Sequence, residues 1–148
     1  MTTVYVYVMN TMADWEIGYC LAELHSNVRI LEIAKRFIEV GGLVAAICGA
    51  TVALANIGLL DDKKHTSNGA GFLNMFCPEY RGTDNYIDKP AVRDGNLITT
   101  AATGALDMTR LILEYLDVFG EATLEHWYAY FSTGNANEFF AMMQSLQK

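Results

Sequence analysis

The sequence LVAAICGATVALA at residues 43–55 combines a short apolar run, a cysteine and a series of small residues. The apolar run is typical of a buried strand, and the small residues from Gly49 onward suit the first turns of a helix. Cys48 would then stand at a sharp bend between the two, where small neighbours let the backbone turn tightly. Unpaired N–H groups at the start of that helix favour a thiolate. Cys48 is therefore either a reactive residue or, as most free cysteines are, a buried apolar one.

Strand and helix patterns alternate along the rest of the chain. Residues 3–9 are β-branched and aromatic, which indicates a strand, and apolar spacing predicts helices over 16–24 and 28–40. Farther on, the same rules predict a turn with a short strand at 59–66, a short helix at 70–76, a hairpin through Asp94-Gly95, and helices at 106–116, 121–131 and 137–146. Strands that alternate with helices predict a doubly wound α/β sheet in one domain of residues 1–148.

Composition argues against several classes of function. The 148 residues carry a net charge of −7, so no basic patch is available for nucleic acid. The apolar runs are too short to cross a bilayer, and we expect neither a membrane span nor a signal peptide. Three cysteines without metal-type spacing indicate a reduced thiol protein of the cytoplasm that binds no metal. The chain also lacks a Gly-rich phosphate loop, and we expect no cofactor.

Three motifs resemble those of the ThiJ/PfpI family, which belongs to the class I glutamine amidotransferase-like superfamily. They are AAICGA at 45–50, GLLDDKKHTSN at 58–68 and DGNLITTAATGALD at 94–107, and they occur in the family's order. The segment VYVYVMNTMADWEIGY at 4–19 resembles the family's first strand and acid-bearing loop. The resemblance covers nearly the whole chain. It implies a flavodoxin-like doubly wound sandwich with a mostly parallel sheet and helices on both faces.

The resemblance assigns site roles to four residues. Cys48 corresponds to the reactive cysteine of the family, and Glu16 corresponds to the acidic residue that hydrogen-bonds its sulfur. Gly49 and Ala50 would lend backbone N–H groups to an anionic intermediate, as in an oxyanion hole. Judged without the resemblance, Glu16 could instead be a surface carboxylate that complements the dipole of its helix.

The chain departs from the family pattern at the expected base. Gly49 stands where protease-like members have a histidine, and Thr66-Ser67-Asn68 stands where other members have a Thr-Thr-His-like segment. Asn68 can orient a group or donate a hydrogen bond, but it cannot accept a proton at neutral pH. His65 lies nearby, and we expect it to be structural or exposed rather than catalytic. A Cys–His nucleophile pair is therefore not predicted.

A second departure lies at the junction of Asn27 and Val28. Family members continue there into further strands and a Gly-Gly loop of the oxyanion site, whereas this chain passes directly into its next helix. The loss of central strands would leave sheet edges exposed. Either the protein lacks this segment or the sequence omits one that the protein contains, and the family-like flanks favour the second explanation.

The remaining cysteines and aromatic residues favour structural roles. Cys20 lies on the apolar face of its predicted helix and is expected in the core. Cys77 precedes Pro78 in a predicted loop, where we expect it to be exposed but not activated. The aromatic residues at 127–131 have helical spacing, which predicts helix packing or a dimer contact.

Two functional hypotheses follow. In the first, the chain is a hydrolase or glutamine amidotransferase-like enzyme, with glyoxalase- or deglycase-like activity included, in which Cys48 attacks small carbonyl, acyl or amide groups and Glu16 handles the proton. In the second, it is a non-catalytic stress-response or redox-sensing protein whose Cys48 is oxidised. A binding domain without turnover is a third, weaker hypothesis. The partner is a small-molecule substrate or an oxidant, and the resemblance implies a homodimer.

Overall fold

A computed structural model describes residues 28–146. In chain order its elements are α1 (Val28–Glu39), β1 (Val44–Ile47), α2 (Gly49–Asn56), α3 (Phe72–Phe76), a 3-10 turn (Thr83–Asn85), β2 (Ala91–Asp94), β3 (Leu97–Thr100), α4 (Ala105–Tyr115), α5 (Glu121–Thr133) and α6 (Ala136–Ser145). The predicted strand at 3–9, the predicted helix at 16–24 and the residues Glu16 and Cys20 lie outside the described residues.

The strands described form one mixed sheet in the order β1–β3–β2. β1 and β3 are parallel, with Ile47 opposite Thr100, and β2 and β3 form an antiparallel hairpin. Gly95 opens the hairpin turn at a φ of 59°, which glycine adopts without strain. Because β1 and β3 are parallel, both carboxyl ends lie at the same edge of the sheet, and Cys48 follows directly from one of them.

The core forms where α2 packs against β1. Residues 50–55 of α2 are all buried, as expected for a helix that is apolar on every side. Four of them cluster with Ala46 of β1 and Leu97 of β3, while Ala34 of α1 packs at the margin. α4 lies against all three strands. The small residues after the cysteine thus place α2 inside the protein, where it fixes the bend that precedes it.

Most predicted elements are confirmed, and the predicted strand at 59–66 is wrong. This segment is a series of turns with a single bridge between His65 and Tyr86. Within it, His65 alone makes ladder-type backbone bonds: its N–H donates to the Asn85 carbonyl, and its carbonyl accepts from the Ile87 N–H. Elsewhere the Asp61 N–H donates to the Gly58 carbonyl, and the Thr66 N–H donates to Thr99 Oγ1. Beyond the single bridge, local and side-chain partners therefore replace the neighbouring strand that a ladder requires.

Part of the aromatic group near the carboxyl terminus packs between α5 and α6, whereas Phe131 and Phe140 are exposed. The Tyr130 and Phe139 rings are 5.5 Å apart, and His126 Nδ1 lies 2.7 Å from Glu138 Oε2. Helix packing, one of the two explanations of the aromatic spacing, is therefore confirmed, and the homodimer stays a prediction. Within residues 28–146, no helix has the length and apolar character needed to cross a membrane.

Two glycines at comparable helix starts give a matched test of the packing. A Cβ at Gly104, before α4, would overlap Thr100 Oγ1 and the Pro90 carbonyl, whereas a Cβ at Gly120, before α5, would meet nothing within 4 Å. We expect Gly104→Ala to lower the free energy of unfolding by about 2 kcal/mol through overpacking, and Gly120→Ala to lower it by about 0.5 kcal/mol or less. Urea denaturation measures both, and equal losses would contradict the close packing at Gly104.

Candidate functional site

Cys48 occupies a strained turn between β1 and α2. Its φ of 55° and ψ of −122° are uncommon for any residue except glycine, and such a conformation costs about 1–3 kcal/mol. Hydrogen bonds hold the turn on both sides: the Cys48 N–H donates to the Thr100 carbonyl at 3.0 Å, and the Cys48 carbonyl accepts from the Thr51 N–H at 3.1 Å. The thiol side chain is half-buried. The predicted bend is therefore present, with the cysteine at its apex.

Two buried hydroxyl groups connect this turn to the loop that follows α2. Thr51 Oγ1 lies 2.6 Å from the Cys48 carbonyl oxygen and 2.6 Å from Ser67 Oγ. A carbonyl can only accept, so the Thr51 hydroxyl donates to Cys48 and the Ser67 hydroxyl donates to Thr51. Both side chains are buried. The chain of hydroxyls therefore ties the residue before Asn68 to the backbone of Cys48.

Asn68 presents a hydrogen-bond donor to the sulfur. Its Oδ1 accepts from the Ala102 N–H at 2.9 Å, and its Nδ2 lies 3.3 Å from Cys48 Sγ. Because the backbone N–H can only donate, the amide orientation is fixed, and Nδ2–H must point to the sulfur. The structure thus brings together Cys48 and Asn68, which lie 20 positions apart in the chain.

The start of α2 supplies further donors beside the thiol. Gly49 and Ala50 are the first residues of α2, so their N–H groups have no acceptor within the helix. The arrangement can stabilise negative charge on the sulfur or on an oxygen bound to it. Glu16, the predicted acid, lies outside the described residues. Among residues 28–146, no group of three or more His, Cys, Asp and Glu side chains could hold a metal ion.

His65 has a structural role. The side chain is fully buried, its Nδ1–H donates to the Lys63 carbonyl at 2.6 Å, and its Nε2 accepts from the Tyr80 hydroxyl at 2.6 Å. Burial lowers the pKa of the imidazole, and the Lys63 bond and the nearby Asp61 charge only partly oppose this effect. Of the two alternatives predicted from the sequence, the structural one is confirmed and the exposed one is wrong.

The predicted exposure of Cys77 is also wrong. This thiol is buried in the core beside Leu73 and Tyr80, because α3 ends there and turns the side chain inward. Burial raises the pKa of the Cys77 thiol, which disfavours its thiolate. Of the two cysteines in the described part of the chain, only Cys48 is accessible.

Sequence reasoning missed the hydroxyl pair of Thr51 and Ser67. Thr51 directly follows Ala50, and Ser67 directly precedes Asn68. This closeness to predicted site residues was the signal that could have identified them. Their contact joins positions that are distant in the chain and could not be inferred from local patterns. It shows how the Asn68 loop is held against the turn.

A wide open groove lies at the opposite end of the sheet. It is lined by the hairpin turn at 94–96 and by Glu39, Lys64, Arg93 and Tyr115, among others. These residues flank the amino ends of β1 and β3, whereas Cys48 follows their carboxyl ends. Arg93 is already paired with Glu114. This groove is therefore separate from the candidate site.

Comparison with known proteins gives consistent matches. The sequence profile of the DJ-1/PfpI family matches residues 18–115. A Bacillus subtilis protein named "uncharacterized protease YoaZ" is 31% identical, with 98% of each chain covered. That alignment extends over 205 positions, so the relative has residues without a counterpart in this chain. The predicted interruption between residues 27 and 28 lies at the edge of the described residues and stays a prediction.

Solved structures support the fold class. A thiJ/pfpI family protein from Bacillus anthracis superposes with a TM-score of 0.77 at 39% identity, covering 90% of this chain and 59% of its own. The DJ-1 superfamily protein Atu0886 from Agrobacterium tumefaciens gives a TM-score of 0.59 at 37% identity, covering 69% of this chain and 56% of its own. The predicted α/β flavodoxin-like class is confirmed. This chain thus spans little more than half the length of these solved relatives.

The strained turn predicts an unusual order of variant stabilities. Glycine adopts a positive φ freely, whereas alanine retains the strain that cysteine has. We therefore expect the free energy of unfolding of Cys48→Gly to exceed that of Cys48→Ala by about 1 kcal/mol. Elsewhere in a fold, glycine usually destabilises relative to alanine. Urea denaturation of the two variants measures this difference. The usual order, with alanine the more stable, would show that the turn is not strained.

The buried imidazole predicts a pH dependence of stability. Because the His65 pKa is lowered in the folded protein, the unfolded chain takes up this proton at a higher pH. The free energy of unfolding should therefore fall below about pH 6.5, by up to about 1.4 kcal/mol per pH unit from this group. Urea titrations between about pH 7.5 and 5.5 measure the free energy of unfolding of the wild type and of His65→Gln. The difference in favour of the wild type should shrink as the pH decreases. A difference that does not change with pH would mean that the pKa of His65 is not lowered in the folded protein.

Proposed function

The chain belongs to the DJ-1/PfpI family, and on that basis we propose that it is a cysteine-dependent enzyme in which Cys48 attacks small carbonyl, acyl or amide compounds. The observation that carries the proposal is the strained, hydrogen-bonded turn at Cys48. Strain of this kind persists where the surrounding structure enforces it, and it clusters at active sites. The protease name of the Bacillus subtilis relative supports hydrolytic chemistry.

The chemical step begins with the thiolate of Cys48. The sulfur forms a bond to the carbonyl carbon, and the π electron pair of the carbonyl moves to its oxygen. The N–H groups of Gly49 and Ala50 stabilise the resulting oxyanion. With an aldehyde or ketone, proton transfer to the oxygen gives a hemithioacetal or hemithioketal. For turnover of a 2-oxoaldehyde, the carbon that carries the sulfur loses its proton to Glu16, in the role that the family resemblance implies, and the neighbouring carbonyl carbon takes up a proton, which gives a 2-hydroxyacyl thioester. Water then hydrolyses this thioester to a 2-hydroxy acid and releases the thiolate of Cys48. With an acyl or amide compound, the oxyanion collapses and expels the leaving group, which needs a proton from Glu16 in the role that the family resemblance implies.

The contact of Asn68 with the sulfur favours carbonyl compounds over amides. Its Nδ2–H stabilises negative charge on Cys48, but an amide cannot carry a proton to a leaving group. Addition to an aldehyde needs no leaving group, whereas amide cleavage does. Small aldehydes and ketones are therefore the preferred substrate class within the proposal. A free thiol at Cys48 also fits a reducing compartment such as the cytoplasm.

A redox sensor is the second candidate function, and one observation favours it. The Cys48 sulfur is half-buried and bonds to an amide rather than to a base. Oxidation by a peroxide needs only an accessible thiolate: the sulfur attacks one peroxide oxygen, the O–O bond breaks, and water leaves after proton uptake. The product is a sulfenic acid at Cys48.

Consumption of methylglyoxal, a small aldehyde, tests the first proposal. We expect the wild type to consume many equivalents and Cys48→Ala to consume none. Asn68→Ala should react roughly 10-fold more slowly because a hydrogen bond to a charged sulfur is lost, and Asn68→Asp more slowly still because its carboxylate repels the thiolate. Asn137→Ala, which removes an exposed amide on α6, is the matched control and should react as the wild type does.

Two outcomes would redirect the interpretation. Consumption of at most one equivalent, combined with peroxide-dependent sulfenic acid at Cys48 detected by mass spectrometry, would favour the sensor. Equal rates for wild type and both Asn68 variants would show that the amide contact has no part in the chemistry.

A further inference from the structure

Asn68 is followed by Gly69, and the pair forms a chemically labile point of the chain. Asparagine is among the less durable side chains of proteins, because the backbone nitrogen of the next residue can attack its carboxamide carbon. Glycine as the next residue has no side chain to obstruct that attack. Asn68-Gly69 is the one Asn-Gly pair among the 148 residues. The lability therefore falls on the residue that contacts the Cys48 sulfur.

The fold leaves the attacking nitrogen unoccupied. The Gly69 N–H donates no hydrogen bond to an acceptor within residues 28–146, and a Cβ at Gly69 would meet nothing within 4 Å. The Gly69 carbonyl accepts from the Phe72 N–H at 3.1 Å, which anchors the loop. Asn68 itself is exposed, so water reaches it. Within the described part of the chain, neither burial nor a hydrogen bond at the Gly69 nitrogen protects the pair.

The carboxamide of Asn68 is hydrogen-bonded at both of its ends, with opposite consequences. The Ala102 N–H donates to Oδ1 at 2.9 Å, where it would stabilise the oxyanion that attack on the amide carbon creates. Nδ2 donates to the Cys48 sulfur at 3.3 Å. Closure of a ring with the Gly69 nitrogen expels Nδ2 as ammonia, so the bond to the sulfur exists before the reaction and not after it. The sulfur contact therefore stabilises the unreacted amide.

We propose that Asn68 is a deamidation site of the folded protein and that its hydrogen bond to Cys48 slows the modification. The Gly69 nitrogen forms a bond to the Asn68 amide carbon, and the bond from that carbon to Nδ2 breaks. The proton of the Gly69 N–H is passed through solvent to the departing nitrogen, which leaves as ammonia. Water then opens the five-membered succinimide at either of its two carbonyl groups. The products are aspartate and isoaspartate at position 68.

The modification replaces the hydrogen-bond donor beside the sulfur with a carboxylate. A negative charge at that place disfavours the thiolate of Cys48 by repulsion, and isoaspartate also lengthens the backbone of the loop. Because ammonia is lost to solvent, the change is one-way, unlike the oxidation of a thiol to a sulfenic acid. As a modification site the proposal stands on the loop alone, whereas a loss of enzymatic activity on deamidation rests on the proposed function.

Incubation of the native protein at mildly alkaline pH, with a reductant present, tests the proposal. Peptide mapping by mass spectrometry then follows each asparagine and separates aspartate from isoaspartate. We expect Asn68 to give both products, whereas Asn137, an exposed amide followed by Glu138, should stay intact over the same period. Cys48→Ala should deamidate at Asn68 roughly 2- to 10-fold faster than the wild type, the effect of one hydrogen bond removed from the unreacted amide.

Denatured protein isolates the contribution of the folded contact. In guanidinium chloride, Cys48 lies 20 positions away along an open chain, so the wild type and Cys48→Ala should deamidate at equal rates. A difference that persists there, equal rates in the native proteins, or an equal acceleration at Asn137 would overturn the proposal. Modification of Asn68 no faster than that of Asn137 would also overturn it. Deamidation as expected, without any turnover of methylglyoxal by the wild type, would refute only the proposed enzymatic function.

Discussion

The backbone of Cys48, held at a positive φ between a strand and a helix, is the constraint on which the site depends. It persists because β1 is paired with β3, because α2 is buried on every side, and because Thr51 and Thr100 bond to both sides of the turn. Each of these contacts opposes relaxation of the cysteine into an ordinary conformation. The core therefore stores strain at a single residue, and this residue carries the one accessible thiol of the described part of the chain.

The sequence predicts the elements better than it predicts the contacts between them. The apolar run before Cys48 and the small residues after it correctly indicate β1 and α2, because burial leaves a local pattern. The error at 59–66 has the opposite cause: apart from the single bridge at His65, the polar groups of this segment bond to local carbonyls and to distant side chains, which no periodicity shows. The burial of Cys77 and the pairing of Thr51 with Ser67 likewise depend on tertiary contacts. Asn68 could be singled out as a departure from the family, but its approach to the sulfur needed the fold.

Asn68 gives this site a different character from a cysteine paired with a histidine. An amide whose oxygen is fixed by the Ala102 N–H offers the sulfur a donor that does not titrate. It can stabilise charge, but it cannot move a proton. The imidazole of His65 cannot take over that task, because both of its nitrogens are engaged in the core and burial keeps it neutral. Proton transfer must therefore come from outside this group, from Glu16, solvent or the substrate.

The parallel pairing of β1 with β3 also bears on how the protein folds. The hairpin of β2 and β3 closes through a short turn, whereas β1 reaches β3 only after the long intervening segment has been enclosed. Contacts between segments that are distant in sequence are slow to form. We therefore expect the strained turn to be among the last features that the chain acquires. A newly made or partly folded chain would carry an ordinary thiol at Cys48, so that the reactivity of this residue would develop only with completion of the native state.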